Sequence, residues 1–346
     1  MITIRIWVYD GIMASGVAGP IDIFNAANHL GAREAARGGA LLPGFVWRVE
    51  SLDGQPVRAA SGQSISVDGK IDPRKRADAI LLTAPFFSNM DEFVGRREQL
   101  NALSSALRSQ RKAGAVLAAY CTGNYLLAEA GLLDGRIATT HWAKAADFAR
   151  RYPHVELRAS EVLTGQDGIL SGGSVTSYLN LAVRLVEMFA GEKLAVTTAK
   201  SLLIDINRTS QASYATLLDE HGHVDPLVAR AQERMEATLQ QRFRLSELAD
   251  WLAVSERTLN RRFKQAVGLA PLAYLQNLRI EVAKRLLESR PIGVDMVSQQ
   301  VGYGDVGTFR QLFKRKTGLA PSEYQMRFAR TSPADDTAHE SHDIAS

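Results

Sequence analysis

One cysteine in 346 residues, Cys121, stands where a short apolar run, residues 115–120 (AVLAAY), meets a stretch of helical spacing, CTGNYLLAEAGLL. A strand running straight into a helix makes a sharp elbow that holds the side chain out, and a helix N-terminus favours a thiolate. His141, in Thr139-Thr140-His141-Trp142, follows twenty residues later and could pair with that thiol as its base. A second set of chemical side chains lies far downstream. Glu256, Arg257, Asn260, Arg261 and Lys264 fall in one window, and Thr308, Arg310, Gln311 and Lys314 in another. Arg pairs bidentately with guanine, Asn and Gln pair with adenine, and Glu accepts from cytosine N4. Lysine suits phosphates, which position a protein on the duplex without specifying sequence. The first set points to thiol chemistry and the second to double-stranded DNA.

The two downstream windows are copies of one unit. Residues 259–274 (LNRRFKQAVGLAPLAY) repeat at 309–324 (FRQLFKRKTGLAPSEY), so that Phe263 matches Phe313, Gly268 to Pro271 match Gly318 to Pro321, and Tyr274 matches Tyr324. Each copy reads as a short apolar-faced helix, a tight turn, and a second helix opened by a capping residue, Ser255 or Asp305. That order is a helix-turn-helix. Between the copies, Tyr274 to Arg290 reads as one helix of about 26 Å, which would place the second helices about one DNA turn apart. Leu248, Leu252, Leu259, Phe263, Phe309, Leu312 and Phe313 are the expected core. Gly302, Gly304 and Gly307 spell G-x-G-x-x-G, but no strand precedes them, so a nucleotide loop is rejected and the glycines are assigned to the turn.

Charge follows this division. The net charge is +4, yet residues 225–330 hold 18 Lys/Arg against 11 Asp/Glu, residues 1–224 are near balance at 23 against 22, and the last 16 residues hold four acids and no base. A basic block beside a neutral one is the footprint of a phosphate-facing domain. With 46% hydrophobic and 23% charged residues, disordered and collagen-like chains are excluded. One cysteine excludes a disulfide framework and a cysteine-built zinc site, and suits a reducing cytoplasm. His221 and His223 have no third ligand nearby, so neither a metal nor a cofactor is expected. No run of 18 apolar residues appears, and the N-terminus reads as a strand rather than a signal peptide.

The elements that must position Cys121 and His141 read as strands alternating with helices. Residues 2–8 alternate apolar and polar in an Ile/Val-rich strand, and a helix from Ile21 to Leu30 follows Gly19-Pro20. Residues 45–52 and 79–83 read as strands, residues 91–112 as one amphipathic helix, and residues 175–190 as a long closing helix, core or dimer surface. The alternation implies an α/β domain with a largely parallel sheet. A further helical segment runs to about Asn207, and residues 208–224 form the linker candidate. The expected organisation is therefore an α/β domain over 1–190, a connecting helix and linker over 191–224, an all-α domain over 225–328, and a disordered acidic tail over 329–346.

The words along the chain carry a resemblance. Residues 225–328, with both helix-turn-helix copies in order and GLAP after each second helix, resemble the AraC/XylS family of transcriptional regulators. GPIDIF at 19–24, CTGNYLLAEAGLL from 121, TTHW at 139–142 and SGG at 171–173 resemble the ThiJ/PfpI branch of the class I glutamine amidotransferase-like superfamily, a flavodoxin-like α/β sandwich. The fusion is similar to GlxA-type regulators. The resemblance implies that Glu256, Arg257, Asn260, Arg261, Thr308, Arg310 and Gln311 face base edges, with Lys264 and Lys314 placed for phosphates. It also implies a ligand pocket at Gly16, Cys121, Thr122, His141 and Gly172. Enzymes of this branch carry an acid on the loop after the first strand, and that position is Gly16 here. Ala84-Pro85 replaces a common Gly-Gly turn, and proline has no N–H to offer an oxyanion. The expectation is a non-enzymatic regulator binding double-stranded DNA and a small-molecule effector as a homodimer. RNA polymerase is a further partner that the resemblance allows. The alternatives are a ThiJ/PfpI-type cysteine enzyme with an accessory DNA domain, and a redox sensor acting through Cys121.

Overall fold

The computed structural model describes residues 1–206, 211, 225–289 and 292–329. Apart from Gln211, the linker read at 208–224 lies outside the described residues, as do its two histidines and the tail from 330. The chain divides into two compact units, Met1–Ala212 and Ser213–Ser346.

In the first unit, strands β1 (Ile2–Trp7), β2 (Phe45–Ser51), β5 (Gly69–Lys70), β6 (Ala79–Leu82), β7 (Val116–Tyr120), β10 (Leu163–Gln166) and β11 (Ile169–Gly172) form a sheet in the order β10-β11-β7-β6-β1-β2-β5. Only β10 runs antiparallel to its neighbour. The pairs β3 (Val57–Arg58) with β4 (Ser64–Ile65) and β8 (Ile137–Ala138) with β9 (Glu156–Leu157) stand apart from it. Helices α1 (Ser15–Ala36), α6 (Ser177–Ala190) and α7 (Glu192–Ser201) pack together against the sheet. Helices α2 (Met90–Val94), α3 (Arg97–Lys112), α4 (Asn124–Glu129) and α5 (Ala145–Arg151) complete the unit, with α3 and α4 packed on β7. A parallel sheet covered on both faces needs near-continuous apolar strands. β6 (AILL) is buried at every position, and β7 (VLAAY) at all but its first. Leu194, Ala195 and Ala199 of α7 join the same core.

Two local readings change. The helix read from Ile21 begins at Ser15 and carries Pro20 inside it. A proline within a helix removes one i→i−4 bond, which is why the signal lay after it. The single helix read over 91–112 is two, because Arg96 leaves helical geometry at φ −76°, ψ 59° and its guanidinium stacks over the Phe87 ring. The charged position of the first strand is buried. β1 lies between β6 and β2, and Arg5 is only 4% exposed.

The second unit is helical throughout its described elements: α8 (Pro226–Ala237), α9 (Leu245–Trp251), α10 (Glu256–Val267), α11 (Pro271–Ser289), α12 (Val294–Gln300), α13 (Val306–Thr317) and α14 (Pro321–Phe328). Each copy builds its own small core. Leu248, Leu252, Leu259, Phe263 and Tyr274 belong to the first, and Val297, Val301, Phe309, Phe313 and Tyr324 to the second. The connecting helix starts at Pro271 rather than Tyr274, since each GLAP segment supplies a left-handed glycine stop (Gly268 φ 78°, Gly318 φ 82°) and then a proline in the first turn of the next helix. The buried Arg279 of α11 ties the copies together. It donates to the carbonyls of Leu239 and Gln241, at 3.0 and 2.7 Å, and lies over the Tyr303 ring.

Candidate functional site

The elbow at Cys121 is real and strained. Cys121 has φ +55°, a left-handed conformation costly for any residue with a Cβ, and such strain is typical of functional turns. Its carbonyl accepts from Thr140 Oγ1 and Asn124 Nδ2, both at 3.0 Å. Asn124 Nδ2 also donates to the Gly172 carbonyl at 2.9 Å, and Asn124 Oδ1 accepts from Ser171 Oγ at 2.6 Å. Ser171 Oγ in turn lies 2.8 Å from the Thr139 carbonyl. The elbow is thus laced to β11 and to the TTHW loop by a buried polar network, and such networks specify geometry when fully satisfied. Thr122 Oγ1 donates to the Pro85 carbonyl, so the Ala84-Pro85 turn is held against the elbow.

Of the expected pocket residues, Gly16, Cys121, Thr122 and Gly172 converge on this buried region. His141 does not join them through a hydrogen bond to the thiol. Its Nδ1 accepts from the Ala143 backbone at 3.3 Å, capping a short 3-10 turn, and its ring stacks beside Trp142. The expected thiolate is also corrected. Burial pushes the Cys121 thiol up to about 11, outweighing the Thr122 backbone N–H and hydroxyl that favour the anion. Burial, followed by the nearby Lys144 cation, holds His141 below the usual histidine range, so it offers no imidazolium to stabilise a thiolate.

Gly16 explains the missing acid. A Cβ there would meet the Tyr120 hydroxyl at 1.6 Å and its Cζ at 2.6 Å, so Tyr120 fills the space an acidic side chain would need. Tyr120 packs edge-on against Tyr178 at 5.5 Å, and burial raises its own pKa. Sequence reasoning missed Tyr120, Asn124, Thr140 and Ser171 as builders of the site, although all four lie in or beside the quoted words.

Sequence reasoning also missed Gln211. Its buried amide donates to the Thr140 carbonyl at 3.0 Å and the Ala159 carbonyl at 2.7 Å, and its backbone N–H to Ser160 at 2.8 Å. A lone Gln in an aperiodic stretch gives no sequence signal for such a role.

In the second unit the structure leaves most of the expected contact side chains free to reach a partner. Glu256, Arg257, Arg261 and Lys264 are exposed on α10, and Thr308, Arg310, Gln311 and Lys314 on α13, while Asn260 is half-buried. Ser255 and Asp305 cap their helices by accepting from the backbones of Thr258 and of Gly307 and Thr308. Thr308 Oγ1 donates to Asp305 at 2.6 Å, and Arg310 reaches Asp295 at 3.2 Å across an exposed pair worth little in water. The adjacent Arg262 is withdrawn into a bidentate pair with Asp225, the cap of α8.

The first unit is a doubly wound sandwich with a strained cysteine elbow, and the second is a duplicated helix-turn-helix of the AraC type. The chain belongs to the DJ-1/PfpI family, whose profile matches residues 3–188. A helix-turn-helix domain profile matches residues 248–327. Among its relatives, the HTH-type transcriptional regulator CdhR of Pseudomonas aeruginosa is 29% identical over 297 residues, covering 84% of each chain. The HTH-type transcriptional regulator GbdR of the same species is 26% identical over 315 residues, covering 91% of this chain and 81% of that one. The HTH-type transcriptional regulator GlxA of Rhizobium meliloti is 25% identical over 229 residues, covering 66% and 70%. A solved structure from Vibrio parahaemolyticus, 16% identical, aligns with a TM-score of 0.50 over 58% of this chain and 98% of its own, and shows the flavodoxin-like fold alone. No helix among the described residues is long and apolar enough to cross a membrane.

Proposed function

We propose that this chain is a sequence-specific DNA-binding transcription regulator acting in the cytoplasm, and that its first unit holds a small metabolite beside Cys121 without transforming it. The observation that carries the reading is the duplicated helix-turn-helix, with exposed Arg257, Arg261, Arg310 and Gln311 on the two second helices. Arg and Gln at such positions supply bidentate contacts to guanine and adenine edges. The 19 residues of α11 between the copies span about 28 Å, so adjacent major-groove segments on one face are within reach.

The first unit's chemistry supports the non-enzymatic reading. A thiol held near 11, no bond to His141, and a tyrosine where an acid would stand leave the cysteine without a base or a thiolate. The same burial speaks against a redox sensor, since oxidation follows thiolate character and exposure. Gln211 suggests the route of regulation. It stands at the end of the first unit and is anchored on the loop that carries His141, so a metabolite at Cys121 that favours one arrangement of that loop shifts Gln211 with it. A homodimer would present four helix-turn-helix units to repeated half-sites. The test is a gel-shift titration of the full chain against operator DNA selected from random sequence, repeated with Arg257→Ala and Arg310→Ala. Selective binding lost in both variants supports the proposal, and unchanged selectivity refutes it.

A further inference from the structure

On one face of the sheet the buried Arg5 Nε and Glu50 Oε2 lack a close hydrogen-bond partner, and the indole N–H of the neighbouring Trp7 is turned to the Glu50 carboxylate. They are neighbours by register, because Arg5 pairs with Arg48 and Trp7 with Glu50 along β1 and β2. Arg5 and Glu50 are 4% and 3% exposed. Their ion pair is loose at 3.6 Å, as is the Arg48–Glu50 pair, also 3.6 Å. Arg5 finds one weak bond elsewhere, to the Asp72 carbonyl at 3.2 Å. A buried ion pair so sparsely hydrogen-bonded does not recover its desolvation cost, and each atom left without a partner adds to it. The arrangement is therefore incomplete as a purely structural device.

Arg5 and Glu50 line a cavity of about 690 Å³, within the range of small-molecule sites, whose walls add Arg48, Lys70, Arg74 and Lys75. Five cations face two carboxylates, Glu50 and Asp72, so the cavity is strongly positive. Arg48 lies nearly alongside Arg5 on the same face, and both it and Lys75 act electrostatically on Glu50. The site is separate from the cysteine elbow, which lies at the end of β7, whereas this cavity lies on β1, β2 and β5 near the sheet edge.

The unpartnered atoms state what would complete them. Arg5 Nε–H needs an acceptor, and Glu50 Oε2 can take a further donor. We propose that this cavity binds a hydrogen phosphate group, free or as a phosphate monoester. Its anionic oxygens accept from Arg5, its remaining hydroxyl donates to Glu50, and Arg48 and Lys75 balance its charge. A simple dicarboxylate supplies the acceptors but no hydroxyl donor.

The experiment is calorimetric titration of the full chain with inorganic phosphate, with succinate as a second titrant and chloride holding ionic strength constant. Arg48→Ala and Lys75→Ala are the test variants, because both positions reach solvent. Cys121→Ala is the control. Phosphate should bind saturably, each cavity variant should weaken it about tenfold, and Cys121→Ala should leave it unchanged. Thermal unfolding at a tenfold excess over Kd should shift upward by roughly 3–6 °C in the unmodified chain and in Cys121→Ala, and by about a third as much in the cavity variants. No saturable phosphate binding, or equal affinity in both cavity variants, overturns the proposal and leaves an internal water as the partner of these atoms. Tighter binding of succinate than of phosphate overturns the role given to Glu50.

Discussion

Raising the pH while following alkylation of Cys121 tests the assignment of the first unit as a non-catalytic site. The structure moves this thiol from an ordinary value of 9.0 to about 11, chiefly by burial. At pH 7 the thiolate then falls from about one molecule in a hundred to about one in ten thousand, a loss of roughly 100-fold in reactive species. Because the chain has one cysteine, iodoacetamide labelling read by mass spectrometry reports this thiol alone. The native chain should label at least 100-fold more slowly than the urea-unfolded chain at pH 7. Its rate should climb about tenfold per pH unit and show no plateau below pH 10. The sign of the linked stability follows. A group whose folded pKa is raised contributes fully below its unfolded value and loses that contribution as pH rises through the folded one. About 2–3 kcal/mol should therefore erode between pH 9 and 11, and Cys121→Ala should flatten that decline. Labelling that plateaus near pH 7 would mean an activated thiolate, and labelling at the unfolded rate would mean an ordinary accessible thiol; either result would overturn the assignment.

The remaining predictions concern packing and DNA. Ala253 and Gly302 hold equivalent turn positions in the two copies, both left-handed at φ +55° and +82°. Ala253→Gly should stabilise the second unit by roughly 0.5–1 kcal/mol in denaturant melts. Gly302→Ala should cost about 2–3 kcal/mol, because its Cβ would meet the Leu239 carbonyl at 2.7 Å and Arg279 at 2.8 Å. Asn124→Leu removes the bonds to Cys121, Gly172 and Ser171 and should destabilise the first unit by about 2–4 kcal/mol, seen as a lowered urea midpoint. Arg257→Ala should weaken specific DNA binding by about 1–3 kcal/mol and relax one base preference, while Lys264→Ala should weaken all sequences alike and reduce the salt slope by about one.

The second unit was legible because its signals are local and occur twice. Capping residues, the GLAP stop-and-start and the phenylalanine spacing each state a backbone need within a few residues. In the first unit the words around Cys121 located the elbow but misread its electrostatics. A helix N-terminus argues for a thiolate only where the thiol reaches solvent, and burial by strands distant in sequence decided otherwise. The space taken by Tyr120 beside Gly16 was invisible for the same reason, since it depends on where α1 crosses β7. Arg5 shows the limit of alternation. The alternation of residues 2–8 marks a strand but does not say that pairing of β1 between β6 and β2 buries Arg5 beside Glu50.

The two helix-turn-helix copies should read adjacent major-groove segments. Selection of bound sequences from a random duplex pool by the full chain, with affinity measured from 50 to 200 mM salt, tests this most directly. Enrichment of two short conserved segments about 10 base pairs apart centre to centre is expected, with affinity that falls steeply and log-linearly with salt. A pool that stays unenriched, or binding indifferent to salt, would contradict it.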